Sequence, residues 1–381
     1  MAIRHSVHIG SPALHNGSKG VIDIKITDMN RRNFFNIGVG LSLVSLIPMR
    51  LIAQSVVKKS DCTILKPARL YMGDKVGLVA PAWSITENDL QLSIENVKRL
   101  GLEPIYSDKI LGKQGYFSGT DKERADDFNN MIKNPEIKGI IFANGGYGCT
   151  RILDLVDYNM IKKNPKIIVG FSDNTALINS IHDNTGLITF HGPISRTINH
   201  DYSKKQFENI VIAPTNNYTI ESSDNDLQKS TDDKIFDRYT ITHGKAQGKL
   251  VGGNLTLICS MIGTPYQIDL KDKIVMIEDI GEEPYRIDRM LTQLIACGEL
   301  TKASGIAFGI CKGCDKTNQS IAPNSFTLRQ VIEDKIKSLK IPAVYGLSFG
   351  HNENNFTFPI GINAELDADN NTIKLMDVAV V

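Results

Sequence analysis

The chain has 381 residues, with 43 Lys and Arg against 42 Asp and Glu, a formal net charge of +1 and 41% hydrophobic residues. That length buries at least one sizeable core, and two domains are a natural expectation. Balanced charge with no basic block interleaved with aromatics argues against a nucleic-acid partner, and the hydrophobic content is that of an ordinary soluble globular chain.

Near the start, "MNRRNFFNIGVGLSLVSLIPMRLIAQS" places Arg31-Arg32 before Phe34-Phe35, a modest apolar run and a small residue at Ala53. The pattern is that of a twin-arginine export signal over residues 29–54, with cleavage after Ala53. The competing reading is a signal anchor. Only about 15 apolar residues precede Pro48, short of the roughly 20 needed to span a bilayer, so no stable membrane span is expected after processing. Met29 is expected to be the natural initiator, with residues 1–28 an unstructured or over-called extension. Export implies a periplasmic location; a cytoplasmic one is the alternative.

From Asp74 onward the pattern alternates. "KVGLVAPA" predicts a strand, "TENDLQLSIENVKRLG" a helix, "EPIYSD" a short strand, "DKERADDFNNMIKN" a helix and "IKGIIFANGG" a buried strand. "CTRILDLVDY" predicts a helix, "PKIIVGFS" a strand, "NTALINSIHDNTG" a helix and "LITFHG" a strand. Near-continuous apolar strands between helices predict a parallel sheet covered on both faces, over a first domain at 68–200. Working residues then gather at the carboxyl ends of the strands, where "APAW", "NGGYG" and Ser172 fall. Residues 201–244 are polar and turn-rich and read as a connector. A mixed sheet-and-helix second domain is expected over 245–381.

Six cysteines, at 62, 149, 259, 297, 311 and 314, are scattered too widely for a disulfide scaffold. "CKGC" at 311–314 has no second pair. It reads as a strand end with two incidental thiols, oxidisable after export, rather than as a zinc half-site. No H-E-x-x-H or dense His/Cys/Asp cluster points to a metal, and "NGGYG" lacks the spacing of a phosphate loop.

In "KIIVGFSDNTALINSIH" a strand ends at Gly170-Phe171 and a helical pattern opens at about Asn174, with Ser172 between them. Ser172 is either a helix N-cap or a nucleophile held at the corner. Acyl transfer would need a base, an acid to orient it, and oxyanion donors. His5, His8 and His15 precede the signal, and His200 and His243 lie in polar connector-like sequence, which leaves His182, His191 and His351. His182 is on a helix and reads as structural. His191 ends "FHGP" and could line the same cleft as Ser172; His351 follows the apolar "VYGLSFG". Glu278 ends the strongly apolar "KIVMIED", where an unpaired charge is expensive to bury. It serves either the chemistry or a structural partner such as Arg286, and Asp279, Glu282 and Glu283 compete with it.

The motifs "GDKVGLVAPA", "YFSGTDKERADDFNNM", "NGGYGCTRILDLVDY", "VGFSDNTAL", "FHGP", "LVGGNLTLICSMIGTPY", "IEDIGEEPYRIDRMLTQL" and "GLSFGH" occur in that order. Together they resemble the serine LD-carboxypeptidases, or muramoyl-tetrapeptide carboxypeptidases, a family that includes a microcin-immunity branch. The resemblance covers about Asp74 to the C-terminus. It implies a Ser-Glu-His triad split across two domains: Ser172 as nucleophile, Glu278 as orienting acid and His351 as base. It also implies an oxyanion hole from the backbone of Asp173 and of Gly146. Many relatives carry Arg where this chain has Asn144, which leaves ligand preference open. Cys149, just past the loop, has no role in the family pattern and reads as packing. The expected fold is α/β: a parallel, flavodoxin-like N-terminal domain, a mixed α/β C-terminal domain, and an active site in the cleft between them. The expected activity is removal of a terminal D-amino acid from murein tetrapeptides through an acyl-enzyme, without a cofactor, by a homodimer. The alternatives are a microcin-immunity-like hydrolase of peptidyl-adenylate analogues and a catalytically silent muropeptide-binding protein. For the first of these, the sole tryptophan, Trp83, sits in a strand-end loop where no stacking platform is expected.

Overall fold

A computed structural model of the chain describes residues 63–317 and 323–381. The export-signal segment, the extension before it, Cys62, His5, His8 and His15 lie outside the described residues.

Five parallel strands build the first sheet: β1 (Lys75–Val79), β2 (Glu103–Ile105), β3 (Ile137–Phe142), β4 (Ile167–Gly170) and β5 (Thr189–His191). β3, β4 and β5 are buried almost throughout, which is why they read as unbroken apolar runs rather than alternating ones. Their order, β2-β1-β3-β4-β5, is that of flavodoxin-like doubly wound folds. A late strand, Phe358–Ile360, adds antiparallel to β5, so the edge of this sheet is supplied by the C-terminal part of the chain.

Local signals set the first helices. Helices α1 (Glu87–Arg99) and α2 (Asp121–Lys133) each open on a capping box, Thr86 with Asp89 and Thr120 with Glu123. The helix expected at "CTRILDLVDY" does not form as one piece. Single 3-10 turns at Cys149–Arg151 and Leu153–Leu155 precede a short helix, α3 (Tyr158–Lys163). The reason is local competition: the Asp157 side chain accepts the Met160 N–H at 2.8 Å and starts a new helix there.

The second sheet has the order β6-β14-β13-β8-β9-β10-β11-β7. At its centre β8 (Lys245–Asn254), β9 (Lys273–Glu278), β10 (Gly305–Ile310) and β11 (Ala343–Gly350) run parallel. β12 is the Phe358–Ile360 strand of the first sheet, and β13 (Asn363–Asp367) and β14 (Thr372–Leu375) flank β8 in antiparallel fashion. The outermost strands, β6 (Thr219–Ile220) and β7 (Tyr239–Thr242), come from the stretch read as a connector. That stretch also holds two helices: after α4 (Thr175–Thr185), which lies before it, come α5 (Asp201–Val211) and α6 (Asp224–Lys229). Phe207, Ile210 and Val211 form a narrow buried stripe on α5. Its spacing is helical, but the surrounding polar residues hide it.

Candidate active site

Ser172 stands at φ +62°, in the left-handed region, immediately after β4 and before α4. A serine there carries backbone strain that a helix cap does not need. Its side chain caps nothing. Ser172 Oγ lies 2.9 Å from His351 Nε2 instead, and His351 Nδ1 lies 2.6 Å from Glu278 Oε2. A carboxylate can only accept, so Nδ1 carries the proton and donates to Glu278, leaving Nε2 to accept from the serine hydroxyl. The three residues therefore meet in one chain of hydrogen bonds, although they are far apart in sequence.

The folds around each residue explain the meeting. Ser172 leaves the carboxyl end of the first sheet. Glu278 ends β9, and His351 follows β11, with β10 pairing both strands. Glu278 is fully buried. Burial alone would raise its carboxyl, but the charge and hydrogen bond of His351 outweigh that and hold it below the usual range. Burial likewise pulls the His351 imidazole down, and the charge and hydrogen bond of Glu278 outweigh it, raising the imidazole above its ordinary value. A pair so arranged can stabilise the imidazolium that would form if His351 took the serine proton.

The glycine loop is shaped by the Ser172 side chain. A Cβ on Gly145 would sit 3.2 Å from Ser172 Cβ and 3.4 Å from Oγ, so a side chain there would press on the serine hydroxyl. Gly146 has φ +100°, and a Cβ on it would meet the Trp83 indole at 2.4 Å. Asp173 and Gly146 flank this corner, and the Gly146 N–H donates to no other backbone group among the described residues. The Asp173 carboxylate accepts the Cys149 N–H at 2.8 Å and so ties the loop to the serine corner. Gly145→Ala is expected to lower kcat by roughly 10²-fold, because ångström-scale displacement of a reacting group costs about that much. Steady-state kinetics with a melting curve would check it; an unchanged kcat would mean that the loop yields.

The rival residues are placed elsewhere. His191 is fully buried, stacked on Phe358 at 4.6 Å, and burial takes its imidazole down to about 4. It does not line the cleft; it backs Phe171, whose ring is edge-on to His351 at 4.9 Å. His182 Nδ1 donates to the Leu187 carbonyl at 2.9 Å, a structural bond. Asp279 accepts from Asn254, from the backbone and hydroxyl of Thr256, and from Ile280 N–H, which makes it a strut between β8 and β9. Burial and the charge of Glu278 push its carboxyl up to about 6. Arg286 pairs with Glu282 at 3.6 Å rather than with Glu278. Cys149 is fully buried, and burial raises its thiol well above the usual range, so it is no thiolate nucleophile. Cys311 and Cys314 are buried free thiols, and burial raises both, Cys314 to about 12. No cluster of His, Cys, Asp or Glu suited to a metal occurs among the described residues.

Two features of the site carry no obvious signal in the sequence. Arg124, buried on α2, bonds the carbonyls of Pro81 and Gly148 and the carboxylate of Asp121, strapping the "APAW" and "NGGYG" loops together. Only its position on the apolar face of α2, one turn before Phe128, hints at this. Trp83 is the second. The sequence suggested no platform, yet Trp83 packs on Gly146 and remains 46% exposed, beside Tyr116 at 54% and Tyr147 at 43%. The Trp83 and Tyr116 ring centroids are 6.2 Å apart, as are those of Tyr116 and Tyr147, so the three form a continuous aromatic wall along the glycine loop.

A strained serine after a parallel strand, a histidine on its hydroxyl and a buried glutamate on that histidine define a serine-hydrolase type of site on a two-sheet α/β fold. The sequence matches the LD-carboxypeptidase N-terminal domain over residues 76–192 and the LD-carboxypeptidase C-terminal domain over residues 247–366. The chain belongs to the LD-carboxypeptidase family. It is 38% identical over 312 residues to the probable murein peptide carboxypeptidase of Bacillus subtilis, covering 81% of this chain and 93% of that one. It is 30% identical to the microcin C7 self-immunity protein MccF of Escherichia coli, covering 82% of this chain and 96% of that one. Among solved structures, MccF in complex with glutamyl sulfamoyl guanosine superposes with a TM-score of 0.74 at 26% identity, over 83% of this chain and all of that one. The muramoyltetrapeptide carboxypeptidase of Oxalobacter formigenes gives 0.66 at 28% identity, over 79% and 97% of the two chains. The family and these relatives make the protein a serine peptidase of the carboxypeptidase type.

Proposed function

We propose that the protein is a serine LD-carboxypeptidase that removes a terminal D-amino acid from murein tetrapeptides through an acyl-enzyme. The observation that carries this reading is the strained Ser172 with its hydroxyl 2.9 Å from the base, inside a family whose relatives include murein peptide carboxypeptidases. His351 Nε2 takes the Ser172 proton as Oγ attacks the carbonyl of the L-centre. Glu278 stabilises the imidazolium that results. The oxyanion is received by the N–H groups of Asp173 and Gly146. The imidazolium then gives its proton to the departing D-amino acid, and water, activated by the same imidazole, releases the shortened peptide from Ser172. No step calls for a cofactor.

The aromatic wall favours one alternative. The resemblance to the microcin-immunity branch implies a nucleobase stacked on an aromatic, and solved MccF complexes hold aspartyl sulfamoyl adenosine and glutamyl sulfamoyl guanosine. Trp83, Tyr116 and Tyr147 offer such a surface here. Purified protein should be incubated in parallel with a muropeptide tetrapeptide and with aspartyl sulfamoyl adenosine, and the products followed by mass spectrometry. The expected result is loss of the terminal residue from the tetrapeptide, with little turnover of the nucleotide analogue. Cleavage of the analogue alone would replace the murein reading with the microcin-type one. Cleavage of neither, together with no labelling of Ser172 by a serine-directed acylating probe, would leave a binding protein.

A further inference from the structure

The reaction proposed above, on which this inference rests, releases an amino acid with a free carboxylate, and a carboxypeptidase has to recognise that charge. The leaving residue is placed by the proton it accepts. His351 hands that proton to the departing amine, so the residue lies on the imidazole side of Ser172. Its carboxylate is carried by the carbon bonded to that nitrogen and so lies just beyond the imidazole. A cation is needed there.

The arginines nearest the site loops are already committed. Arg124 is buried among the Pro81 and Gly148 carbonyls and Asp121. Arg151 pairs with the same aspartate at 2.8 Å, Arg196 with Asp89 at 3.5 Å and Arg286 with Glu282 at 3.6 Å. Asn144 is neutral, and its side chain donates toward the Ser84 carbonyl at 3.4 Å.

Lys312 is different. It follows β10, two residues past Ile310, which is the register partner of Gly350 and so lies beside His351. Its backbone is fixed: Gly281 N–H donates to the Lys312 carbonyl at 2.9 Å, and Lys312 N–H donates to the Ile310 carbonyl at 3.0 Å. Its side chain is exposed, and its ammonium has no ion pair or hydrogen bond with any described residue. Its charge nevertheless reaches two groups on the loop after β11, pulling down the His351 imidazole and the Glu353 carboxyl as a minor influence on each. Lys312 also lines an open depression of about 500 Å³ with Ile280, Gly281, Glu283, Gly313 and Lys316. The depression is lined by residues just past β9, which ends in Glu278, and just past β10, which pairs with the strand before His351. Glu283 contributes a carboxylate to the same lining, which disfavours a second negative charge on the ligand.

We propose that Lys312 receives the α-carboxylate of the leaving D-amino acid, so that the loop after β10 is the specificity-determining wall of the leaving-residue subsite. The ammonium acts as an exposed, anchored point charge, which suits a ligand group that must also depart.

The test compares two substrates, a tetrapeptide with a free terminal carboxylate and the same peptide as its terminal amide, on the full chain and on Lys312→Ala and Lys312→Arg. The free acid is expected to be preferred by the unaltered protein. Lys312→Ala should raise KM for the acid roughly 10–100-fold, the span expected for one charge-assisted hydrogen bond, with kcat little changed and the amide unaffected. Lys312→Arg should keep the preference for the acid. An unchanged acid-to-amide ratio in Lys312→Ala, or an equal loss on both substrates, overturns the assignment while leaving the peptidase reading in place. If the unaltered protein cleaves neither peptide, the peptidase reading fails and this one with it.

Discussion

Replacing Ser172 with alanine is expected to lower kcat by several orders of magnitude, on the order of 10³–10⁶-fold, with a melting temperature close to that of the unaltered protein. The hydroxyl is the only group on the chain of hydrogen bonds that can attack a carbonyl, and its removal leaves oxyanion donors and substrate contacts in place. The fold should tolerate the change because the serine hydroxyl supports no helix end, and its one side-chain bond runs to His351. A companion variant, Ser172→Gly, should be equally inactive and somewhat more stable, since φ +62° costs an L-residue strain that glycine escapes. Cys149→Ala provides the contrast. Its thiol is buried and held protonated, so kcat should change little while packing suffers. Near-normal turnover by Ser172→Ala, alongside inactivity of Cys149→Ala, would transfer the nucleophile to the cysteine.

How far the sequence could be read depended on the range of the forces involved. The strands at 75–79, 137–142 and 167–170 are buried on both faces, and burial on both faces writes an unbroken apolar run into the chain. The capping boxes at Thr86 and Thr120 are equally local. By contrast, α5 buries a stripe of few residues and spends the rest on solvent, and β6 and β7 are short edge strands. None of these leaves a pattern stronger than that of a polar connector. The site was legible to a different degree. Read as residues alone, "FHGP" and "FGH" are both histidines at strand ends, and nothing local separates them. What separates them is which sheet each strand joins. His191 pairs with Phe358 inside the first sheet and is sealed there, whereas His351 leaves β11 toward the serine corner. The ordered family motifs pointed to Ser172, Glu278 and His351, and the structure brings these three within hydrogen-bonding distance. Trp83 shows the opposite case. A tryptophan in a strand-end loop joins a wall of exposed rings only because Gly146, distant in sequence, leaves room for the indole.

Glu278→Gln separates an acid that serves the base from one that merely fills a buried position. The structure has already removed one structural explanation, since Arg286 turns to Glu282 and the Glu278 carboxylate turns to His351. Glutamine keeps the size but loses the charge, and it can offer Nδ1 a donor where an acceptor is needed, which favours the wrong tautomer. kcat is therefore expected to fall by roughly 10²–10⁴-fold with little change in KM, because the interaction strengthens only as the imidazolium forms. The pH profile should move as well. The base must be neutral to act, so kcat/KM rises with pH through the His351 titration, and in the unaltered protein that limb should lie above the ordinary histidine value. Without the Glu278 charge and hydrogen bond, burial, already the largest single influence, is no longer outweighed, and burial lowers an imidazole. The acid limb should thus shift toward lower pH even as the plateau collapses. A glutamate with only a structural role would show the reverse set: a lower melting temperature, a nearly intact kcat and an unmoved acid limb. Because one variant yields all three readings, a drop in rate caused by partial unfolding cannot pass for loss of the orienting acid. A lower melting temperature marks partial unfolding, whereas an intact melting curve with a shifted acid limb marks loss of the carboxylate that holds His351.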